Sequence, residues 1–302
     1  MQQLWKGKNQ QTFATINLII AMTIFGSIGF VSAKTGLLSF ELVFVRCIGA
    51  TVFLGFGWFL SGQFKREEWN KKEITYILIC GILLVFNWIF LFKAFETMAV
   101  TIAISIYYLA PILVLLMGSI IYRESLTIMS VISIIVCFIG LVFITGIDSI
   151  TSFDKWLSSG VIWALLAALF YALTTLVGKG ITKTSPYAVT FLQTFMGIFI
   201  LIPFVNFHAF TNLNEQNWLA IVLIGAVHTG FVYYLFFGSL RHLPTRLISA
   251  LVFLDPGVAI LLDTVFTGFR PSVIQIVGIN LIFLGMAATL VKAKSNGKEI
   301  VN

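Results

Sequence analysis

A chain of 302 residues that is 59% hydrophobic and only 10% charged, with a mean hydropathy of +1.01, is not a soluble globular domain, in which about a quarter of residues carry charge. It reads as an all-α integral membrane protein. The net charge of +7 does not amount to a nucleic-acid surface, because the basic residues sit in short loops and tails between apolar runs rather than in a patch.

Taken in order, the N-terminus is polar and basic and leads into a long apolar run without the short core and small-residue cleavage site of a signal peptide, so the first span is expected to remain. A hydrocarbon core takes about 20 apolar residues per helix. On that measure the charged residues cut the chain into ten pieces, near 12–34, 39–61, 74–96, 99–121, 126–147, 158–180, 186–206, 217–240, 245–267 and 271–292. No appended soluble domain is expected. In this ten-span frame fourteen of the nineteen Lys and Arg fall on one side and four on the other, with Arg46 inside a span. The bias puts both termini, including the basic tail, in the cytoplasm. Thirty Phe, eight Tyr and seven Trp suit lipid-facing surfaces and interfacial belts. Cys47, Cys80 and Cys137 lie inside spans without CxxC spacing and read as small apolar residues, not as a disulfide or metal set. No cofactor is expected.

Sliding the chain against itself by about 145 residues aligns Pro111 with Pro256, Gly140 with Gly285 and Lys34 with Lys179. The chain therefore reads as a duplication, with residues 1–150 as the first five-helix repeat and 151–302 as the second. An odd number of spans per copy makes the repeats inverted about an axis in the membrane plane, a symmetry used for alternating access. Pro111, after Tyr107-Tyr108-Leu109-Ala110, and Pro256, after Phe253-Leu254-Asp255, each interrupt an apolar run. Proline removes a backbone donor and pushes away the carbonyl four residues earlier, here Tyr107 and Val252. Paired interruptions at matching places in two halves point to a transport site.

The polar residues inside the spans supply the candidates. Arg46 shares a face with Ala50, Phe53 and Gly57, and a cation there costs at least about 2.5 kcal/mol on insertion scales. It reads as a clamp for an anionic substrate group, as a ligand-independent partner for backbone carbonyls, or as a cation snorkelling toward an interface. Asp255, beside the second proline, is a candidate protonatable or cation-binding group, with a neutral acid bonded to a neighbouring helix as the alternative. Asp263 is expected at an interface. Thr101, Ser105, Tyr108 and Ser119 fall on one face of the fourth span, either lining a pore or bonding to another helix. Gly26, Gly29 and Ala33 in the first span, and Ala164, Ala168, Tyr171, Thr175 and Gly178 in the sixth, make faces suited to close packing, from which Tyr171 stands out. His228 reads as a proton relay or a hydrogen-bonded packing residue. Lys93 with Glu96, and Arg123 with Glu124, read as solvated pairs at span ends.

The arginine in "LVFVRCIGA" of the second span, "YYLAP" against "FLDP", and "YRESLT" closing the fourth span together resemble the EamA family of the drug/metabolite transporter superfamily. The resemblance runs over nearly the whole chain. Arg46 matches the family's span-two arginine, Pro111 and Pro256 its paired prolines, and Glu124 the acid ending span four. The second copy departs from the pattern, with Phe269 where the acid often recurs and Gln193 where Arg46 has its mirror. The resemblance implies a permease of the bacterial cytoplasmic membrane, commonly exporting amino acids, other small metabolites or toxic compounds through a central cavity between the repeats. The substrate-binding candidates are then Arg46, Tyr108, Tyr171, Ser105 and Thr175, and the coupling candidates Asp255 and His228. Arg46 suits a carboxylate and Asp255 an amine, so a zwitterion fits both; multidrug or lipophilic-cation efflux is the alternative. A membrane enzyme is disfavoured, since the chain has no HExxH pair and no GxSxG elbow, and no P-loop is present to power pumping by ATP.

Overall fold

A computed structural model describes residues 2–122, 128–145, 160–178, 180–240, 243, 251 and 254–292. Of the residues named above, Arg123, Glu124, Lys179, Val252 and Phe253 lie outside the described residues, so the carbonyl expected to be displaced by Pro256 is not among them. Long apolar stretches become helices because hydrocarbon offers the backbone no partner, and a helix satisfies its own amides. The described helices are α1 (Gln2–Gly26), α2 (Ile28–Ser32), α3 (Ser39–Leu60), α4 (Lys71–Thr97), α5 (Val100–Tyr107), α6 (Ala110–Tyr122) and α7 (Ile128–Thr145). They continue as α8 (Val161–Gly178), α9 (Pro186–Leu201), α10 (Glu215–Val222), α11 (Val232–Leu240), α12 (Leu254–Leu262) and α13 (Val273–Lys292). Two π-helical segments, Leu223–Phe231 and Asp263–Thr267, follow α10 and α12. No strand occurs among the described residues.

Five described stretches are long and apolar enough to cross a membrane: Ser39–Leu60, Lys71–Thr97, Val100–Ile121, Val161–Gly178 and Tyr187–Phe204. Described helices fall within each of the ten expected stretches, and five of these stretches reach that length and apolarity among the described residues. The first of the expected stretches is broken at Ser27, and the eighth and ninth contain the π-helical segments.

The chain divides into two compact units, Met1–Val85 with Ile181–Leu262, and Phe86–Gly180 with Asp263–Asn302. In the first, α3 packs on α9 and on the Leu223–Phe231 segment, while α1 packs on α11 and α12. Two carboxylates gather the stretch before α9. Glu73 accepts hydrogen bonds from the Thr182, Lys183 and Thr184 amides at 3.0 Å and from the Thr182 and Thr184 hydroxyls at 3.0 and 2.8 Å. Glu67 accepts from the Ser185 amide at 3.0 Å, from its hydroxyl, and from the Trp58 indole at 3.1 Å. The 27 residues of α4 rise about 40 Å, more than a hydrocarbon core of about 30 Å, so its charged first turn lies outside that core. Burial opposes the Glu73 charge, but the hydrogen bonds from Thr182, Thr184 and Lys183 outweigh it and bring the carboxyl down to about 2.

In the second unit, α7 and α13 cross with their backbones touching. A Cβ on Gly140 would lie 2.7 Å from the Gly278 carbonyl oxygen, and one on Gly278 would lie 2.7 Å from the Gly140 oxygen. Nearby, α8 packs on α5 and α6. Asn87 is fully buried; its Nδ2 donates to the Ala167 carbonyl at 2.7 Å, and its Oδ1 has no partner among the described residues. Phe86, Phe90, Trp163 and Phe170 form a ring cluster in the same unit. Lys93 and Glu96 pair at 2.7 Å on a partly exposed surface, as the sequence suggests.

Gly278→Ala should lower the melting temperature in detergent by about 5 °C through overpacking, whereas Gly57→Ala, with nothing within 4 Å of its new methyl, should lower nothing. Because the folded carboxyl of Glu73 lies below its ordinary 4.5, its contribution is full above that pH and is lost as pH falls through about 2. Glu73→Gln should therefore melt roughly 5 °C lower at neutral pH, and the gap should close as the buffer is taken from about pH 5 toward about pH 2.5.

Candidate functional site

The segment Leu223–Phe231, LIGAVHTGF, carries two glycines and a β-branched threonine, which weaken a regular α-helix. It winds as a π-helix, a form that recurs at functional sites. Two of its side chains bond carbonyls five residues back. Thr229 Oγ1 donates to the Ile224 carbonyl at 3.0 Å, and His228 Nδ1 lies 3.2 Å from the Leu223 carbonyl. Glycines bring α3 against this segment, since a Cβ on Gly49 would collide with the backbone of Gly225. One turn away, Arg46 is only 3% exposed and its Nε donates to Thr229 Oγ1 at 2.9 Å.

The interruption between α1 and α2 meets the same segment. Ser27 Oγ lies 2.8 Å from the Ile24 carbonyl and 2.9 Å from Nε2 of His228, which is 4% exposed. Gly26, at the same break, leaves room for the backbone oxygen of Asp255 and the Cβ of Val258 on α12. Pro256 is the third residue of α12 and is buried. Arg46, His228 and Asp255 thus belong to one unit, gathered around a broken α1 and a π-helical turn. Phe25 and Tyr233 pack edge to face beside them, with ring centroids 5.6 Å apart. Gln193, the mirror position of Arg46, is buried in the same unit with its backbone against Gly81.

The other candidates belong to the second unit. The chain turns at Tyr108 and Leu109, and Pro111 is the second residue of α6, where a helix has no amide bond for proline to remove. Rings run from Tyr171 to Tyr107 at 5.6 Å, to Tyr108 at 6.2 Å and to Phe283 at 5.8 Å, all edge to face. Tyr171 is 43% exposed. The hydroxyls of Ser105, Thr175 and Ser119 donate to the carbonyls of Thr101, Tyr171 and Leu116 on their own helices, at 2.7, 2.9 and 2.8 Å. Thr101 and Ser105 are fully buried.

Asp263, expected near the outer end of its span, has its carboxylate held inside the protein. It is 4% exposed, its Oδ2 accepts from the Thr101 amide at 2.9 Å, and its Oδ1 accepts from the Thr267 hydroxyl at 2.7 Å. The π-helical turn it opens brings the carboxylate to the first turn of α5, where unbonded amides attract a negative charge. Ser27, Thr229 and Asn87 are among the polar residues that sequence reasoning passed over. Thr229 adjoins His228, and Ser27 lies between two glycines, the one signal that could have marked them. No group of three or more His, Cys, Asp or Glu suited to a metal ion occurs among the described residues.

The EamA-like transporter family matches twice, over residues 12–146 and 158–291. The chain belongs to that family. It is 60% identical over 283 residues, 94% of this chain and 91% of the relative, to the Bacillus subtilis (strain 168) protein named "Uncharacterized transporter YxxF". An Archaeoglobus fulgidus protein, also named an uncharacterized transporter, is 23% identical over 253 residues, covering 81% of this chain and 88% of its own. A solved crystal structure shares the fold at a TM-score of 0.64 and 17% identity, over 93% of this chain and 97% of that one. EamA membership in two tandem copies, with relatives named as transporters, makes this chain a multi-pass membrane transporter rather than an enzyme, with a small-molecule substrate and lipid as its surroundings.

Proposed function

We propose that this EamA transporter exports amino acids or similar small metabolites from a bacterial cell, using an ion gradient, with protons as the coupling ion. Its ten spans cross the cytoplasmic membrane as two inverted repeats, 1–150 and 151–302, with both termini in the cytoplasm. The observation that carries the reading is the buried Arg46 guanidinium, bonded to a π-helical turn on which His228 also lies. A cation in that setting suits a substrate carboxylate, and Asp255, at the start of α12 beside Gly26, suits a proton or an amine. Tyr108, Tyr171, Ser105 and Thr175 are our further candidates for substrate contact. The ring series Tyr171, Tyr107, Tyr108 and Phe283 favours a second reading, efflux of lipophilic cations, which aromatic faces attract.

Purified protein in proteoliposomes, assayed with labelled amino acids, the amines that lack their carboxylates, and lipophilic cations, separates the two readings. Arg46→Gln should slow amino-acid flux about tenfold and leave the matching amine within about twofold, since a charge-assisted contact is roughly twice as strong as a neutral one. Equal loss for both, with less folded protein, would make Arg46 structural. Flux of lipophilic cations alone would establish the second reading. Asp255→Asn should keep substrate exchange and lose accumulation driven by a pH gradient; retained accumulation removes Asp255 from coupling.

A further inference from the structure

We propose that Ser27 and His228 form a proton site that ties the break in the first span to the π-helical turn of the eighth. Three contacts connect the group: Ser27 Oγ to the Ile24 carbonyl at 2.8 Å, Ser27 Oγ to His228 Nε2 at 2.9 Å, and His228 Nδ1 to the Leu223 carbonyl at 3.2 Å. The carbonyls at both ends only accept, the hydroxyl supplies one hydrogen, and a neutral imidazole supplies one more. Two hydrogens for three contacts leave an acceptor facing an acceptor. With Nδ1–H on Leu223, the Ser27 hydroxyl turns to Nε2, and its oxygen then meets the Ile24 carbonyl with lone pairs only. With Nε2–H on Ser27, the hydroxyl reaches Ile24, and a bare Nδ1 meets the Leu223 carbonyl instead.

One more proton on the ring completes the set. Nδ1–H then donates to Leu223, Nε2–H donates to Ser27, and Ser27 donates to Ile24, so the imidazolium holds both interruptions in one unbroken chain of donors. Loss of that proton reverses one contact and loosens either the turn at Ser27 or the π-helical carbonyl. Ser27 is thereby a positioning residue for the proton on His228, a role the sequence does not suggest. The packed elements bring a defined set of other groups. Arg46 and Cys47 come from α3, with Glu41 at its start bonded to the Asn206 amide. Tyr233 comes from α11, Glu215 from the start of α10 and Asp255 from the start of α12, while α1 and α2 carry no charged residue from position 10 onward. Arg46, on the adjacent Thr229, is the cation that shares the turn with His228. Two positive charges on one turn repel, so an anion resting on Arg46 and a proton on His228 assist each other.

The use of this site in coupling rests on the transport reading above, but its test needs no substrate, so either can fail alone. Protein carrying ¹³C,¹⁵N-histidine in lipid nanodiscs is followed by NMR from about pH 4 to about pH 8, the range in which histidine charges change, with His228→Gln identifying the signal. The expected result is a ring protonated on both nitrogens at the acid end and neutral at the other. Ser27→Ala, which removes the acceptor of Nε2–H, should weaken proton binding about tenfold, and Ser27→Thr, which keeps a hydroxyl, should restore it. A ring that stays neutral throughout, or a Ser27→Ala titration that superimposes on the wild type, overturns the proposal. So does a Ser27→Thr titration that follows Ser27→Ala.

Discussion

Hydrocarbon cannot hydrogen-bond a stray amide or carbonyl, and the described helices of this chain depart from regular winding at several points that must obey that limit. At Ser27 the hydroxyl lies on the Ile24 carbonyl. In Leu223–Phe231 the Thr229 hydroxyl donates to Ile224, and in Asp263–Thr267 the Thr267 hydroxyl donates to the Asp263 carbonyl. At the start of α5 the Asp263 carboxylate takes the Thr101 amide. Short polar side chains thus do locally what water does in a soluble protein. Each repair places a group of distinct chemistry at an interruption of the helices, and at Ser27 and Leu223–Phe231 these groups lie beside the candidate site.

Close backbone contact makes these repairs possible. Glycine at 49 and 225 lets α3 approach near enough for the Arg46 side chain to reach Thr229, and glycine at 26 brings α12 against the break in the first span. The small residues and the polar ones therefore form one device. Without the former the latter would be too distant to satisfy each other, and a guanidinium without such contacts would be expelled toward an interface.

The helices were legible because a run of about 20 apolar residues between charges matches the thickness of a hydrocarbon core and suits little else. Arg46 and His228 were legible as polar residues in apolar runs, and their convergence on one turn was not, because no local pattern reports that α3 lies against the eighth span. The hydroxyl face of the fourth span illustrates the converse. Spacing aligned Thr101, Ser105 and Ser119, but Ser105 and Ser119 bond their own helix, a choice open to any serine and invisible to periodicity. Pro111 pointed to an interruption, and the chain turns just before it, because proline fits the first turn of a new helix better than the middle of an old one. Glu73 carries no local mark of its role, which depends on Thr182 to Thr184, a hundred residues away.

The make-up of the two compact units bears on how the chain is built. The unit formed by Met1–Val85 and Ile181–Leu262 draws on both sequence halves, so the contact between Arg46 and Thr229 joins a segment made early to one made late. At about 5–20 residues per second, synthesis of the 183 residues from Arg46 to Thr229 takes roughly 10–40 s. During that wait Arg46 is in the bilayer before Thr229 exists to receive it. Insertion of the first half therefore runs ahead of the Arg46–Thr229 contact, which only the second half completes.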